Sequence, residues 1–270
     1  MHKVVEKKVL ASTITLLKVE APMVVREAKP GQFVIVRLNE FAERIPLTIC
    51  DIDKAKGHLT MIIQELGKST KDLCAIEEGG QIQDILGPLG NPSEIEKFGT
   101  VVMIGGGVGS AELLTVVQAL KDKGNKVITI LGARSKELVI LEDIIRKLAD
   151  EVMITTDDGS YGEKGLVTDA LKKLFARGEK IDRIICCGPI PMMRAVVETA
   201  RPTGIPAIVS LNAILLDGTG MCGSCRCTIE GKTRFSCVDG PEFDGYKVDF
   251  NELTMRNKRF LAEERSALES

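Results

Sequence analysis

From about Gly99 onward the chain alternates, four times over, between a short β-rich run and an amphipathic segment. The pairs are "TVVMIGGG" then "SAELLTVVQALKDKG", "KVITILGARS" then "KELVILEDIIRKLAD", "EVMITTDD" then "VTDALKKLFARG", and "IDRIICCGP" then "PMMRAVVETAR". Parallel strands need a crossover between them, so this rhythm predicts a parallel sheet flanked by helices. The part before it differs. Between Val4 and about Leu86 the apolar residues fall in short strand-like runs, "VVEKKVLASTITLLKVE", "GQFVIVRL" and "HLTMIIQEL", each bounded by Pro, Gly or charged turns, which predicts an antiparallel barrel. After "GIPAIVSLN" come a cysteine-rich segment and "DFNELTMRNKRFLAEERSAL", a charged helix with a modest apolar stripe. The expected fold class is α/β plus β, with domains at residues 1–97, 98–208 and 209–270.

"VVMIGGGVGSAELL" sets glycines at the exit of a strand and the entrance of a helix. Gly105, Gly106, Gly107 and Gly109, with Val108 between them, let the backbone approach a pyrophosphate while the helix amino terminus offers unpaired N–H groups. The spacing is G-G-G-x-G rather than G-x-G-x-x-G, and a turn that merely packs helix on sheet has the same composition. The second strand ends at Arg134 and Ser135, where a dinucleotide fold often carries an acid for the adenosine ribose; an arginine there suits a 2′-phosphate or a solvated surface equally. Asp157 and Asp158, in "TTDDGSYG", suit ribose binding or simple turn chemistry. Cys187, Gly188 and Pro189, in "CGPIPMM", follow the fourth strand on the same sheet edge, where open α/β sheets bind ligands.

Eight cysteines fall in 270 residues, four of them between Cys222 and Cys237. No basic amino-terminal region precedes an apolar core and cleavage site, and no apolar run reaches the roughly 18 residues of a bilayer span, so a cytoplasmic location is expected. Reducing surroundings argue against structural disulfides and for metal or redox chemistry. Cys50, Cys74 and Cys186 read as small core residues. With only His2 and His58, a histidine triad or a multi-histidine metal site is hard to assemble. The net charge of −2 and the scarcity of aromatics give no reason to expect nucleic acid.

In the barrel half, "ELGKSTKDL" invites a phosphate-loop reading, but Ile62 stands where that motif needs its first glycine. What remains is a turn of small residues, Gly67, Ser69 and Thr70, able to donate to phosphate oxygens. The combination of R-x-P-L-T (Arg44, Pro46, Leu47, Thr48), G-x-S-T, G-G-G-x-G, C-G-P-x-P-M-M and a cysteine-rich tail resembles the flavin- and iron–sulfur-containing members of the ferredoxin–NADP reductase superfamily. It is most similar to the small subunits of electron-bifurcating NADH-dependent reduced ferredoxin:NADP oxidoreductases. The electron-transfer subunits of dihydroorotate dehydrogenase are relatives of these.

The resemblance implies an FAD-binding barrel, an NAD(P)-binding α/β domain and a small [2Fe–2S] domain. Thr48 would lie beside the reactive ring of FAD, with Gly67, Ser69 and Thr70 on its pyrophosphate. Cys187 and Gly188 would lie near the nicotinamide-accepting face. Leu47 takes the position of a flavin-stacking tyrosine and Ile45 that of an arginine, with Arg44 displaced by one. The cofactors expected are FAD, a [2Fe–2S] cluster and NAD(H), with NADP(H) possible. The partner expected is a larger flavin and iron–sulfur subunit, which reaches ferredoxin in turn; no nucleic acid or membrane is expected.

Plant-type ligation places C-x4-C-x2-C before a distant cysteine. Here the register is D-x4-C-x2-C-x11-C, with Asp217 at the first position followed by Cys222, Cys225 and Cys237. A carboxylate keeps the formal ligand charge of a thiolate but is a harder donor. The resemblance implies an aspartate ligand for the bifurcating subunits and four cysteines for the dihydroorotate relatives. Cys227 is the rival ligand, an Asx turn is the rival role for Asp217, and zinc is the rival metal. The function expected is exchange of hydride with NAD(H) and passage of single electrons to the partner. A dihydroorotate dehydrogenase subunit and a zinc-stabilised nucleotide sensor are the alternatives.

Overall fold

The computed structural model describes residues 1–269. The first eight strands are β1 (His2–Ala11), β2 (Ile14–Glu20), β3 (Phe33–Arg37), β4 (Arg44–Thr48), β5 (Asp51–Asp53), β6 (His58–Gln64), β7 (Gln81–Ile82) and β8 (Asp84–Leu89). They form two antiparallel sheets, of order β5-β6-β2-β1-β7 and β4-β3-β8, around one core that includes Leu17, Val34, Val36, Met61 and Ile63. Helices α1 (Pro22–Glu27) and α2 (Lys68–Cys74) accompany them. Side chains alternate between the two faces of a strand, so in β4 Ile45 and Leu47 pack against the core while Arg44 and Pro46 are exposed and Thr48 is half-buried. Leu47 therefore stands on the side opposite Pro46 and Thr48, which the motif alone does not reveal.

The alternating half follows as β9 (Thr100–Gly106), α3 (Ser110–Asp122), β10 (Lys126–Ala133), α4 (Glu142–Leu148), β11 (Glu151–Thr156), β12 (Glu163–Lys164), α5 (Val167–Ala176), β13 (Arg183–Cys187), α6 (Ile190–Ala200) and β14 (Ala207–Ser210). Strands β9, β10, β11, β13 and β14 are parallel, in the order β11-β10-β9-β13-β14. Such a sheet is covered on both faces, and Val101 to Ile104 are accordingly unexposed throughout. The chain winds outward from β9 in one direction and then restarts at β13 on its other side. The topological switch point thus lies between the carboxyl ends of β9 and β13.

The chain then forms the hairpin β15 (Arg226–Ile229) and β16 (Lys232–Phe235), followed by β17 (Glu242–Asp244), α7 (Phe250–Arg256) and α8 (Leu261–Glu269). Strand β17 pairs antiparallel with β14 and closes that edge of the parallel sheet. Two compact units result. One contains Met1–Pro92, Ala213–Pro241 and the residues from Asp249 on; the other contains Ser93–Asn212 and Glu242–Val248. The expected single terminal helix is two helices. Asp249 caps α7 by accepting from the amides of Asn251 and Glu252, and the chain turns after Arg256, where the Arg256 and Arg259 guanidiniums donate to the Ser224 carbonyl at 3.3 and 3.2 Å. Among the described residues no helix is long and apolar enough to cross a membrane.

Candidate functional site

At the switch point the glycine loop leaves β9 and enters α3, while Cys187 and Gly188 leave β13 beside it. A Cβ on Gly109 would lie 2.6 Å from the Cys187 carbonyl oxygen, so only glycine lets these two turns approach. At the start of α3 Ser110, Ala111 and Glu112 are buried, and the Ser110 amide donates to the Gly107 and Val108 carbonyls. On the β10–β11 side, Arg134 is exposed and its carbonyl accepts from the Asp158 amide at 3.2 Å. The Asp158 carboxylate accepts from the amide and hydroxyl of Ser160 at 2.9 and 2.7 Å, bonds that hold it below the usual carboxylate range. Asp158 thus makes the turn its sequence suggests, at the same edge as Ser135. These residues come together with the glycine loop along one sheet edge, as the alternation predicts.

One residue near Cys187 was not singled out from the sequence. Glu112, in the first turn of α3 and 8% exposed, accepts a hydrogen bond from the Cys187 thiol at 2.9 Å and one from the Ser210 hydroxyl. Burial drives its carboxyl above the ordinary range, and these two neutral donors only partly oppose that. Burial and then the Glu112 charge push the Cys187 thiol well up. Glu242 on β17 accepts from the Ser93 hydroxyl at 2.5 Å and is pushed up to about 7, mainly by burial. In "SAELL" Glu112 reads as an acid suited to a helix amino terminus, and nothing local points to its buried partner.

In the barrel unit, Thr70 accepts from the amides of Leu66 and Gly67 and donates to the Gly67 carbonyl, so its hydroxyl shapes the turn into α2. The Ser69 hydroxyl donates to Glu43 at 2.8 Å. Ile45, Lys68 and Ser69 line a cavity of about 420 Å³ that also touches Val36 and Leu73. From β4 only Ile45 lines this hollow and from the G-x-S-T turn only Lys68 and Ser69, so Arg44, Pro46, Leu47, Thr48, Gly67 and Thr70 are not brought to it.

The cysteine hairpin belongs to the same unit. Gly218 has φ +74°, and a Cβ there would lie 2.7 Å from Leu89 and 2.8 Å from Ile35, so the turn rests directly on β8 and β3. The Cys225 and Cys237 sulfurs are buried and 3.2 Å apart. The Ser224 amide donates to the exposed Cys222 sulfur at 3.4 Å, and the Gly220 amide donates to that of Cys237. Asp217 accepts from the amides of Thr219 and Cys222 at 2.7 and 2.6 Å, the Asx-turn geometry, and these bonds hold it below the usual carboxylate range. Among the described residues no group of three or more His, Cys, Asp or Glu side chains is gathered closely enough to hold a metal ion. The donor chemistry nonetheless fits an iron–sulfur group, with two adjacent sulfurs, a third on the same loop and amides aimed at thiols. The Cys227 thiol is 3.7 Å from the Arg234 carbonyl, and burial and then the Cys225 charge push it up to about 12.

Residues 103–198 match the family model of the oxidoreductase NAD-binding domain, and residues 212–249 that of the iron–sulfur cluster binding domain of dihydroorotate dehydrogenase B. The whole chain is 46% identical to the dihydroorotate dehydrogenase B (NAD(+)) electron transfer subunit homolog of Thermotoga maritima, covering 95% of that protein. The chain belongs to the dihydroorotate dehydrogenase B electron-transfer subunit family. A second family member, the electron transfer subunit of Fusobacterium nucleatum, is 34% identical over 84% of this chain and 89% of its own. A solved chain from the NADH-dependent reduced ferredoxin-NADP oxidoreductase, studied for flavin-based electron bifurcation, superposes with TM-score 0.94 at 46% identity, covering 100% of this chain and 97% of that one. An Amycolatopsis cytochrome P450 reductase shares the fold alone, with TM-score 0.66 and 20% identity over 76% of this chain and 66% of its own. The family resemblance read from the motifs is thus confirmed, as is the pairing of an antiparallel barrel with a parallel nucleotide-binding sheet.

Proposed function

We propose that the chain is the flavin and iron–sulfur electron-transfer subunit of a ferredoxin-linked NAD(P) transhydrogenase. It exchanges hydride with NAD(H) at FAD and passes single electrons through a [2Fe–2S] cluster to a larger flavin and iron–sulfur subunit in the cytoplasm. The observation that carries this reading is the seating of the cysteine hairpin on β3 and β8, in the same three-stranded sheet as β4. The turn that opens the cysteine segment thereby packs against the sheet that contains the strand bearing Arg44, Pro46 and Thr48. FAD supplies the conversion between a two-electron hydride and single electrons.

In this reading residues 1–97 hold FAD, 98–208 the nucleotide and 209–270 the cluster. Thr48 borders the reactive ring, Arg44 and Pro46 flank it, Gly67, Ser69 and Thr70 hold the pyrophosphate turn, and Leu47 supports the strand from the core side. Gly105 to Gly109 take the nucleotide pyrophosphate, Arg134, Ser135 and Asp158 the adenosine end, and Cys187, Gly188 and Pro189 the nicotinamide. Cys222, Cys225 and Cys237 bind iron, with Asp217 as the fourth ligand; its carboxylate already bonds the Cys222 amide and so lies on the ligand loop.

Anaerobically prepared protein should contain flavin and two iron atoms per chain and no zinc, and should absorb across the visible range. NADH should bleach the flavin. The chain alone should reduce an artificial dye with NADH but show no ferredoxin-linked transhydrogenation. Colourless, zinc-loaded protein would overturn the reading in favour of a nucleotide sensor. Co-purification with a dihydroorotate-oxidising subunit would move it to the other branch, with which the match over residues 212–249 is also consistent.

A further inference from the structure

The pairing registers at the switch point set Gly105 opposite Cys187, Cys187 opposite Ser210, and Ser210 opposite Glu242. Residues level with one another on neighbouring strands present their side chains to the same face. Cys187, Ser210 and Glu242 therefore form one row across β13, β14 and β17. Glu112 reaches that row from α3, bonded to both the Cys187 thiol and the Ser210 hydroxyl. Neither of its partners is charged. A buried carboxyl without a cation holds its proton in preference to a bare charge.

The groups that act on this row are few. Glu242 is raised by burial and by the charges of Glu112 and Glu94, while the Ser93 hydroxyl and Arg183 pull it down. Arg183 is itself paired with Glu94 at 2.6 Å. Cys186 and Cys187, both pushed up by burial, stay protonated thiols. The two histidines of the chain, His2 and His58, lie on β1 and β6 in the barrel unit, so the nucleotide unit has no histidine to titrate near neutrality. Of the two carboxyls, Glu242 is pushed up to about 7, and Glu112, raised by burial, is its neighbour.

The nicotinamide ring is uncharged in NADH and cationic in NAD+. We propose that Glu112 and Glu242 are positioning residues that sense this charge through Cys187, favouring the cationic oxidised ring once a proton leaves the pair and the neutral reduced ring while it stays. The proposal rests on the reading that a nicotinamide nucleotide binds at the switch point. One unit charge placed several ångströms from another, in a partly dry site, shifts a binding constant about 10-fold or more. By linkage, binding of NAD+ must then expel part of a proton, and binding of NADH must not.

The test is anaerobic isothermal titration of the full cofactor-loaded chain, oxidised for NAD+ and chemically pre-reduced for NADH so that no hydride is transferred, from about pH 6 to about pH 8, in two buffers of different ionisation heat. The expected result is an NAD+ to NADH affinity ratio that rises about 10-fold across this range, with proton release on NAD+ binding alone. In the double variant E112Q/E242Q the ratio should be flat and no proton should be released. A flat ratio in the unaltered chain overturns the proposal, as does a rise that survives in the double variant. Should the variant not fold, proton release by the unaltered chain decides by itself. Failure of either nucleotide to bind at any pH would instead sink the functional reading, so the two failures are distinguishable.

Discussion

At Glu242, an unfolded carboxyl at 4.5 is raised to about 7, mainly by burial. Between those values the native state keeps a proton that the unfolded state has lost, so stability is full below 4.5, declines as pH rises and is lowest above 7. The whole decline approaches ~3 kcal/mol. Glu242→Gln keeps an acceptor for Ser93 and removes the buried charge; at about pH 8 it should raise stability by about 1–3 kcal/mol and flatten the slope, as read by chemical denaturation. Gly109→Ala drives a methyl toward the Cys187 carbonyl, so it should weaken NADH binding about 10-fold or more and cost about 1–3 kcal/mol, measured by nucleotide titration and thermal unfolding. That the glycine loop and Cys187 would meet at one sheet edge was legible because their placement is local, a backbone freedom and a strand exit. Glu112 was not, since its role depends on how far α3 is rotated over β13 and β14. Asp217 is intermediate: its turn was legible as one of two roles, and both suit the bonds it makes.

At the scale of elements, the cysteine hairpin shows which interactions spacing records. The register C-x2-C-x11-C predicts which sulfurs approach, and Cys225 and Cys237 do lie together. It says nothing of the surface beneath. Gly218 against Ile35 and Leu89 supplies that, and Gly218→Ala should both strain a left-handed turn and push the hairpin off β3 and β8. The expected outcome is a loss of about 1–3 kcal/mol and a lowered iron content in anaerobic preparations, read by metal analysis. Cys237→Ser should abolish iron retention. Cys227→Ser should leave it intact, because that thiol falls outside the C-x2-C-x11-C register and already donates to the Arg234 carbonyl. Two further features escaped the sequence for the same reason. Residues 242–244 join the parallel sheet by pairing with a strand some thirty positions earlier, and the terminal helix breaks where Arg256 and Arg259 reach back to Ser224. Neither pairing leaves a periodic trace.

At the scale of the molecule, the linear order of segments differs from the order of packing. The cysteine segment follows the nucleotide-binding half in sequence but is compact with the barrel, while the seven residues Glu242–Val248 return to the parallel sheet. Each unit therefore contains candidate ligand segments of its own, β4, the G-x-S-T turn and the cysteine hairpin in the first and the switch-point edge in the second. A ligand that binds only the native state stabilises what it touches, by about 2.7 kcal/mol at one hundred times its dissociation constant. Hydrogen exchange read segment by segment should then separate the two. Removal of iron by a chelator should raise exchange in residues 213–241 and in β3 and β8, with little change in β9, β10 and β13. Saturating NADH should slow exchange at the glycine loop and at the carboxyl ends of β9 and β13, whether or not iron is present. Iron removal that loosened β9 and β13 as much as the hairpin would show that the two units do not respond separately, and the division of labour between a metal-bearing barrel and a nucleotide-bearing sheet would then have to be abandoned.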